Sequence, residues 1–250
     1  MHFMEFIKST QNTLVKRISS LKDGKFRREN GLFVAEGVRI VSDGDLPTYL
    51  FVDKAHEDFG LRYENLTKVY EVSDEVMAKL SDTKTPQGVL AVYPIPEVAL
   101  NEMVGDRAIV LDGVVDPGNV GTIVRTAVAC GYLDVYLINC ADVYSPKVVR
   151  STMSAIFKAR LNVVTYEELD RVLTTRKAKL YALDMGGESV FESDIHLPYA
   201  LLVGSEAHGI SEWAKNNSDG ILSLPMEGGI ESLNAGVSAS TMMYVTRYKK

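Results

Sequence analysis

The sequence predicts an α/β protein with two domains, the larger of which is built on a parallel sheet. After residue 107, short apolar runs of the kind that parallel sheets bury alternate with helical stretches. Residues 94–106 contain two prolines and three acidic residues, a composition typical of a linker. Residues 1–93 mix strand and helix patterns. We therefore expect a small N-terminal α/β domain over 1–93, a linker over 94–106 and a larger domain over 107–250.

The elements of the first domain follow from local patterns. A four-then-three spacing of apolar residues predicts a helix over 9–22. Ser73 is suited to cap a second helix over 73–82. Apolar runs predict three strands, at 31–37, 48–53 and 88–93.

The second domain shows the regular alternation. Five apolar runs predict strands at 107–115, 134–140, 179–185, 199–206 and 220–226. The stretches around and between them predict helices at 119–130, 146–157, 166–176, 210–217 and 232–248.

The composition is that of an ordinary globular protein, with 46% hydrophobic and 24% charged residues. No apolar run approaches the roughly 18 residues of a membrane span, and the N-terminus lacks the pattern of a signal peptide. Cys130 and Cys140 are the only cysteines, too few for a disulfide framework or a four-cysteine zinc site. We expect a cytoplasmic protein with no metal and no membrane association, in which both cysteines act as small buried apolar residues.

The net charge of -6 argues mildly against nucleic acid, but the basic residues are unevenly distributed. Between Lys16 and Arg28 six basic residues face a single acid, Asp23, so this window carries about five positive charges. Such a window is typical of a solvated helix face, and it also suits contact with phosphates. Composition therefore leaves nucleic-acid binding open.

Three loops after predicted strands carry the candidate polar residues, because open α/β sheets bind ligands beyond the carboxyl ends of their strands. The first loop leads into a helix that contains Asn119 and Arg125. Arg125 is flanked by apolar residues, so we expect it to face the core. There it must pair with a carboxylate or meet an anionic ligand.

The second loop contains Gly204, Glu206 and His208, and the histidine is more typical of a polar loop residue than of an acid–base catalyst. The third loop leads into the last helix, whose N-terminus Ser232 and Asn234 are suited to cap. The free amide groups at such a helix end also receive phosphates.

Several common motifs are absent from the sequence. No G-x-G-x-x-G follows a strand, which argues against a nicotinamide-dependent oxidoreductase. The phosphate loop G-x-x-x-x-G-K-[ST], the zinc motif H-E-x-x-H and the nucleophile elbow G-x-S-x-G are also missing. The residues alone thus indicate an α/β ligand-binding protein with an unusual embedded arginine.

The three loops, in this order and spacing, closely resemble the signature motifs of the SpoU (TrmH) family of RNA 2′-O-ribose methyltransferases. The matching segments are DPGNVGTIVRTAVACG, LLVGSEAHGIS and LPMEGGIESLNAGVSAS. The N-terminal half is similar to the substrate-binding domain often fused to this family, through KFRRENGLFVAEGVRIV and TKTPQGVLAV. The resemblance covers nearly the whole chain.

The resemblance implies a SPOUT-type parallel-sheet domain with a deep trefoil knot, and a homodimer. It also implies S-adenosyl-L-methionine as the cofactor, held largely by backbone groups around Gly204, Leu224 and Leu233. The residues that match the family's functional set are Asn119, Arg125, Glu206, Ser232 and Asn234.

The expected partners are RNA and a second copy of the chain. Large-subunit ribosomal RNA is favoured because the fused N-terminal domain is commoner in the ribosomal branch of the family. Apolar residues of the last helix are expected to face either the partner subunit or the helix's own core: Val237, Met242, Met243 and Val245. The residues expected to contact RNA are Lys16, Lys25, Arg27, Arg28 and Arg39.

The role of Arg125 follows from its chemistry. A guanidinium is a poor base at neutral pH. We therefore expect Arg125 to bind the phosphate beside the target ribose, with Ser232 adding a second phosphate contact. Glu206 and Asn119 would orient Arg125 and the loops. The identity of the general base stays open.

Three alternatives remain at this point: a tRNA 2′-O-methyltransferase, a non-catalytic RNA-binding or ribosome-assembly protein of the same fold, and a base-methylating enzyme of a related knotted family. All five polar positions are present, which argues against the non-catalytic alternative. One departure from the family pattern is Gly236 inside the last helix, which would either permit close packing or loosen the knot.

Overall fold

The computed structural model describes residues 4–97, 103–228 and 233–249. The chain divides into two compact units, each containing one sheet. The first comprises Met1–Pro96 together with Tyr144–Phe157, and the second comprises Glu97–Val143 and Lys158–Lys250. The segment Tyr144–Phe157 lies inside the range expected for the second domain, yet it packs with the first unit.

In chain order, the elements before residue 97 are β1 (Glu5–Ile7), α1 (Thr13–Ser20), α2 (Gly24–Asn30), β2 (Leu32–Glu36), α3 (Val38–Asp43), β3 (Tyr49–Val52), α4 (Glu57–Leu61), β4 (Lys68–Val72), α5 (Asp74–Leu80) and β5 (Val89–Pro94). They are followed by β6 (Arg107–Asp112), α6 (Pro117–Cys130), β7 (Asp134–Ile138), α7 (Pro146–Thr152), β8 (Arg160–Val163), α8 (Tyr166–Arg176), β9 (Lys179–Ser189), β10 (Tyr199–Val203), α9 (Glu212–Asn217), β11 (Gly220–Ser223) and α10 (Ala235–Tyr248).

The helix predicted over 9–22 is shorter than expected, and a second helix follows it. Asn12 caps α1 by accepting a hydrogen bond from the backbone N–H of Leu14 at 2.8 Å. Asp23 caps α2 by accepting from the backbone N–H of Lys25 at 2.7 Å. Because each cap starts its own helix, the basic stretch is distributed over two helices.

The first sheet has the order β1-β4-β3-β5-β2, with β5 antiparallel to both of its neighbours. The three predicted strands are β2, β3 and β5, and the predicted Ser73 cap of α5 is confirmed by its bond to the backbone N–H of Val76. The short strands β1 and β4 and the helices α2 and α3 were not predicted, because each is too short to show a clear periodicity.

The helix predicted over 146–157 ends earlier, at Thr152. Met153 has a φ of 53°, which ends α7, and a 3-10 turn follows over Met153–Phe157. Aromatic rings seat this segment on the first sheet: Phe33 lies 5.0 Å from Tyr144 and 6.2 Å from Phe157, measured between ring centroids. The segment therefore completes the core of the first unit.

The second sheet has the order β11-β9-β10-β6-β7-β8, and all of its neighbouring strands run parallel. This confirms the predicted parallel α/β architecture; β8, which the sequence analysis missed, is a short edge strand. The chain moves from β6 outward to β8 and then crosses to β9 on the other side. The order thus reverses between β6 and β10, and open α/β sheets bind ligands beyond the carboxyl ends of strands at such a reversal.

Helices α6 and α10 pack against each other in the second unit. The hydroxyl of Ser240 donates to that of Thr126 at 2.9 Å. Near the end of α10, the hydroxyl of Thr246 lies 2.6 Å from the buried hydroxyl of Tyr132, which follows α6. The Tyr132 hydroxyl also lies 2.6 Å from the hydroxyl of Tyr199 on β10. This hydroxyl cluster joins the end of α10 to β10.

Candidate functional site

A cavity of about 450 Å³ opens at the carboxyl ends of β10 and β11, beside the middle of β9. Gly204 follows β10, Leu224 follows β11, and Leu233 precedes α10. The three residues predicted to hold the cofactor therefore line one cavity. Its volume lies in the range of small-molecule sites, about 300–1,000 Å³.

The lining combines apolar side chains with two carboxylates. Leu183, Val203 and Leu222 supply apolar surface, and Asp184 and Glu206 bring the carboxylates. Sequence reasoning missed Asp184, although it directly follows an apolar run and so stands at the carboxyl end of a buried strand segment. An apolar pocket with carboxylates suits a ligand that is partly flat and partly cationic.

The loop after β10 is closed tightly on itself. The backbones of Ser205 and Gly209 exchange two N–H to C=O hydrogen bonds, each 2.9 Å long. A Cβ at Gly204 would lie 2.1 Å from the carbonyl oxygen of Gly209, and Gly209 itself has a φ of +66°. Only glycine fits position 204, because the atom that a side chain would meet belongs to the backbone.

Asn119 and Glu206 come from loops far apart in the sequence and meet beside this cavity. The Nδ2 of Asn119 donates to Oε1 of Glu206 at 2.5 Å. Asp116 caps α6 by accepting from the backbone N–H of Asn119 at 2.9 Å, which places Asn119 in the first turn of the helix. This hydrogen bond joins the loop before α6 to the loop after β10.

Arg125 lies on the exposed side of α6, which corrects the expectation that it faces the core. The buried positions of that helix are the apolar ones around it, including Val120, Val124 and Ala127. Within the described residues no hydrogen bond or ion pair engages the Arg125 side chain. An apolar neighbourhood in sequence does not place a residue inward when the helix buries only one face.

The start of α10 lies against Asn119. Asn234 caps α10 as predicted, accepting from the backbone N–H of Val237 at 3.2 Å. A Cβ at Gly236 would lie 3.1 Å from Oδ1 of both Asn119 and Asn234. The glycine in this helix therefore permits close packing. Ser232, predicted to contact a phosphate, lies outside the described residues.

Two further polar groups stand at the carboxyl edge of the second sheet. Asp112, which sequence reasoning missed, is only 4% exposed and accepts a hydrogen bond from the hydroxyl of Tyr166 at 2.8 Å. Burial raises the pKa of the Cys140 thiol to about 11. The higher pKa favours the protonated thiol, which is the less nucleophilic form.

His208 is exposed in its loop.

The predicted RNA-contacting residues divide into two groups. Lys16, Lys25, Arg28 and Arg39 are exposed in the first unit. Arg27 is only 3% exposed, and its Nη1 donates to the carbonyl oxygens of Leu21 at 2.6 Å and Lys22 at 2.8 Å. Its guanidinium thus satisfies carbonyls at the end of α1, which the helix leaves without intrahelical partners.

The described part of the chain contains neither a helix able to cross a membrane nor a metal-binding cluster. In residues 4–97, 103–228 and 233–249, no helix has both the length and the apolar character that a bilayer crossing requires. The same residues contain no cluster of three or more His, Cys, Asp or Glu side chains arranged to hold a metal ion.

Comparison with family profiles gives a match to each half of the chain. The profile described as the SpoU rRNA Methylase family matches residues 106–244. The profile described as the MRM3-like substrate binding domain matches residues 12–91.

Among curated proteins, the chain is 30% identical to the uncharacterized tRNA/rRNA methyltransferase slr1673 of Synechocystis, over 96% of this chain and 93% of that protein. It is also 30% identical to the 23S rRNA (guanosine(2553)-2'-O)-methyltransferase RlmP of Bacillus subtilis, over 98% of this chain and 100% of that protein.

Solved structures align with most of the chain. The AdoMet-bound rRNA methyltransferase from Sinorhizobium meliloti aligns with a TM-score of 0.86 at 26% identity, covering 97% of each chain. The SpoU methyltransferase AviRb from Streptomyces viridochromogenes, in complex with AdoMet, aligns with a TM-score of 0.85 at 26% identity, covering 95% of this chain and 97% of that one.

Proposed function

This chain belongs to the SpoU rRNA methylase family, and we propose that it transfers a methyl group from S-adenosylmethionine to a ribose 2′-hydroxyl of ribosomal RNA. One observation carries the proposal: the cavity that collects Gly204, Leu224 and Leu233 lies beside the Asn119–Glu206 pair. Its relative RlmP is named as a 23S rRNA 2'-O-methyltransferase, which favours ribosomal RNA over tRNA as the substrate.

The cavity fits S-adenosylmethionine in size and in chemistry. Apolar side chains such as Leu183 and Leu222 suit the flat adenine ring, and the carboxylates of Asp184 and Glu206 suit the positive charges of the cofactor. The absence of a side chain at Gly204 lets the backbone of Gly209 close against it, which sets the shape of the loop beside the cavity. When bound, S-adenosylmethionine supplies an electrophilic methyl group on a positively charged sulfur.

The residues of the chain then have to position the ribose and allow its 2′-hydroxyl to lose a proton. We assign to Arg125 the phosphate beside the target ribose, because its exposed guanidinium is available to an external anion. The Asn119–Glu206 hydrogen bond holds the loop before α6 against the loop after β10. Holding two reactants in reacting geometry can contribute roughly 7–11 kcal/mol to lowering a barrier. Arg125 is not assigned as the base, since a guanidinium donates hydrogen bonds and has no acceptor for a proton.

We also propose a homodimer and a deep trefoil knot in the second unit. Both were expected from the resemblance to the SpoU (TrmH) family. The exposed apolar surface of α10 supports the dimer, with Val237 49% and Tyr244 50% exposed. Met242 and Met243, also considered for this role, are fully buried in their own core. Light scattering should give about twice the 27.6 kDa of one chain; a mass near one chain at micromolar concentration would contradict the dimer.

The cytoplasmic location also remains a proposal. It is supported by the composition of the chain, which is that of an ordinary globular protein.

The test is methyl transfer from radiolabelled S-adenosylmethionine to large-subunit ribosomal RNA, with bulk tRNA as the competing substrate. We expect label in ribosomal RNA, mapped to a ribose 2′-oxygen. Labelling of tRNA alone would support the tRNA alternative. Absence of both methyl transfer and cofactor binding by calorimetry would support the non-catalytic one.

The largest effect of a single change on this reaction is expected for Arg125→Ala. It should abolish transfer and leave the affinity for S-adenosylmethionine within a few-fold, because Arg125 is not among the residues that line the cavity. Arg171→Ala is the matched control, since Arg171 is an exposed arginine on α8. Near wild-type turnover of Arg125→Ala would show that the assignment of Arg125 is wrong.

A further inference from the structure

Glu36, at the end of β2, is a buried carboxylate that neither the sequence reasoning nor the proposed reaction uses. It is 7% exposed, and burying a charge is costly unless hydrogen bonds satisfy it. Three groups of one loop donate to it: the Ser81 hydroxyl at 2.8 Å, the Thr83 hydroxyl at 3.0 Å and the backbone N–H of Gln87 at 2.9 Å. One carboxylate therefore holds both ends of the loop over 81–87.

The same loop lies against the turn between β2 and α3. Gly37 has a φ of +110°, and a Cβ there would lie 2.4 Å from Oε1 of Gln87. The two N-terminal segments that resemble the substrate-binding domain, residues 25–41 and 83–92, thus meet around Glu36. Their meeting defines one surface, which we call the Glu36 loop surface: residues 81–87 together with Gly37–Arg39.

The Glu36 loop surface presents positive charge. Lys84 lies exposed on the loop and Arg39 lies exposed in the first turn of α3. Within the described residues neither side chain has a hydrogen bond or an ion pair, so both charges are available to a ligand. The acid of this loop, Asp82, is paired with Arg150 at 3.1 Å.

Exposed amide and hydroxyl groups accompany these charges. Gln87 and Thr85 are exposed on the same loop. Cationic and neutral hydrogen-bond donors held on a rigid loop are the groups that position a nucleic-acid backbone. A phosphate-rich strand therefore suits this surface better than an acidic peptide, which offers fewer evenly spaced anions.

We propose that the Glu36 loop surface contacts the phosphates of the RNA substrate, and that Glu36 is the positioning residue that holds the loop for this contact. The inference rests on the proposed function and deepens it, since it joins the loop over 81–87 to Arg39, already expected to contact RNA, in one surface of the first unit. Glu36 acts through Lys84 and Gln87 and does not itself touch the RNA.

The sign of the charge makes the idea testable. Replacing Glu36 by Gln removes a negative charge from beneath an RNA-binding surface, and simple electrostatics would then strengthen RNA binding. The proposal predicts the opposite, because hydrogen bonds to an ionised carboxylate are roughly twice as strong as those to a neutral amide, so that glutamine holds the loop less firmly.

The experiment compares Lys84→Gln, Glu36→Gln, the double variant and a control in the full-length protein. The control is Lys68→Gln, since Lys68 is also an exposed lysine of the first unit, on β4. RNA binding is measured by filter binding across a salt titration, on the same ribosomal RNA fragment. Calorimetry with S-adenosylmethionine and the unfolding temperature are measured in parallel.

Lys84→Gln should reduce the slope of log affinity against log salt by about 0.7–0.9, the value for one lost phosphate contact. Glu36→Gln should weaken RNA binding several-fold and flatten the slope by a similar amount. The double variant should add little to either single change, because residues that act through one another are not additive. KM for RNA should rise in both single variants while kcat at saturating RNA and cofactor affinity stay unchanged.

An unchanged slope in Lys84→Gln, or tighter RNA binding by Glu36→Gln, would overturn the inference. If Glu36→Gln unfolds, the slope of the exposed Lys84→Gln variant decides the matter alone. Failure of the proposed function is a separate observation: the wild-type protein would then transfer no methyl group to any RNA, whatever the variants do.

Discussion

The two units of this protein position their loops by different physical means. In the second unit, backbones approach each other directly because glycines leave no side chain between them: a Cβ at Gly204 would lie 2.1 Å from a backbone oxygen, and one at Gly187 would lie 2.5 Å from the carbonyl oxygen of Ile221. In the first unit, buried polar side chains fill the space and bond to loops, as Glu36 and Arg27 do.

The difference has consequences for how each unit tolerates change. A steric fit between backbones fails when any side chain is added, because the backbone cannot move aside without breaking its own hydrogen bonds. A contact made by buried polar side chains weakens by degrees, because the loss of stability depends on how many donors or acceptors remain satisfied. Lys22 shows the same polar strategy: its Nζ donates to the carbonyl oxygen of Lys79 at 2.9 Å, and burial lowers the pKa of its amine.

The strongest test of the steric fit is Gly204→Ala. The added methyl group would overlap the carbonyl of Gly209, so the loop must shift and the cavity must change shape. We expect loss of S-adenosylmethionine binding in calorimetry, with a destabilisation of about 1–3 kcal/mol.

Gly186→Ala is the matched control, because a Cβ at Gly186 meets no atom within 4 Å. It should bind the cofactor like the wild type. Equal cofactor affinity of both variants would show that the close approach at Gly204 is unimportant.

The polar fit of the first unit is tested by Arg27→Ala against Arg28→Ala. Removing the buried guanidinium leaves the carbonyls of Leu21 and Lys22 without that donor, which should cost about 1–3 kcal/mol in urea unfolding. Removing the exposed Arg28 should change stability by less than about 0.5 kcal/mol. Similar small losses in both variants would mean that Arg27 has no structural role in the fold.

The second unit also contains a loop-to-helix contact made by buried polar side chains, and disrupting it should give the smallest effect. Tyr132→Phe removes the hydroxyl that joins Tyr199 and Thr246, and it should lower the free energy of unfolding by about 1 kcal/mol. Tyr248→Phe serves as control, since Tyr248 is 63% exposed. A loss as large as that of Gly204→Ala would remove the distinction between steric and polar positioning.

Much of the fold could be predicted because the signals are local. The parallel strands of the second sheet are continuous apolar runs, and Ser73 and Asn234 cap the helices for which they were proposed. The cavity residues Gly204, Leu224 and Leu233 were found through a motif, and the structure brings them together. Short elements such as β1 and β8 carry too few residues for periodicity to reveal them.

Local signals failed where a residue's direction mattered. Arg125 has apolar neighbours in sequence, yet it points outward because α6 buries only its opposite face. Arg27 belongs to a basic stretch that suggested a charged surface, yet its side chain turns inward to the end of α1. The number of charged residues in a stretch does not show which of their side chains will be buried in the fold.

The sequence by itself determined the two-part α/β organisation, the parallel character of the second sheet and the loops that surround the cavity, since periodicity, caps and turns depend on neighbouring residues. The tertiary structure alone decided that Asn119 meets Glu206, 87 positions away, and that Tyr144–Phe157 completes the first unit. It also decided that Glu36 gathers three donors of one loop. The physical reason is that such contacts form between distant parts of the chain, where burial and geometry choose the partner and no local pattern records the choice.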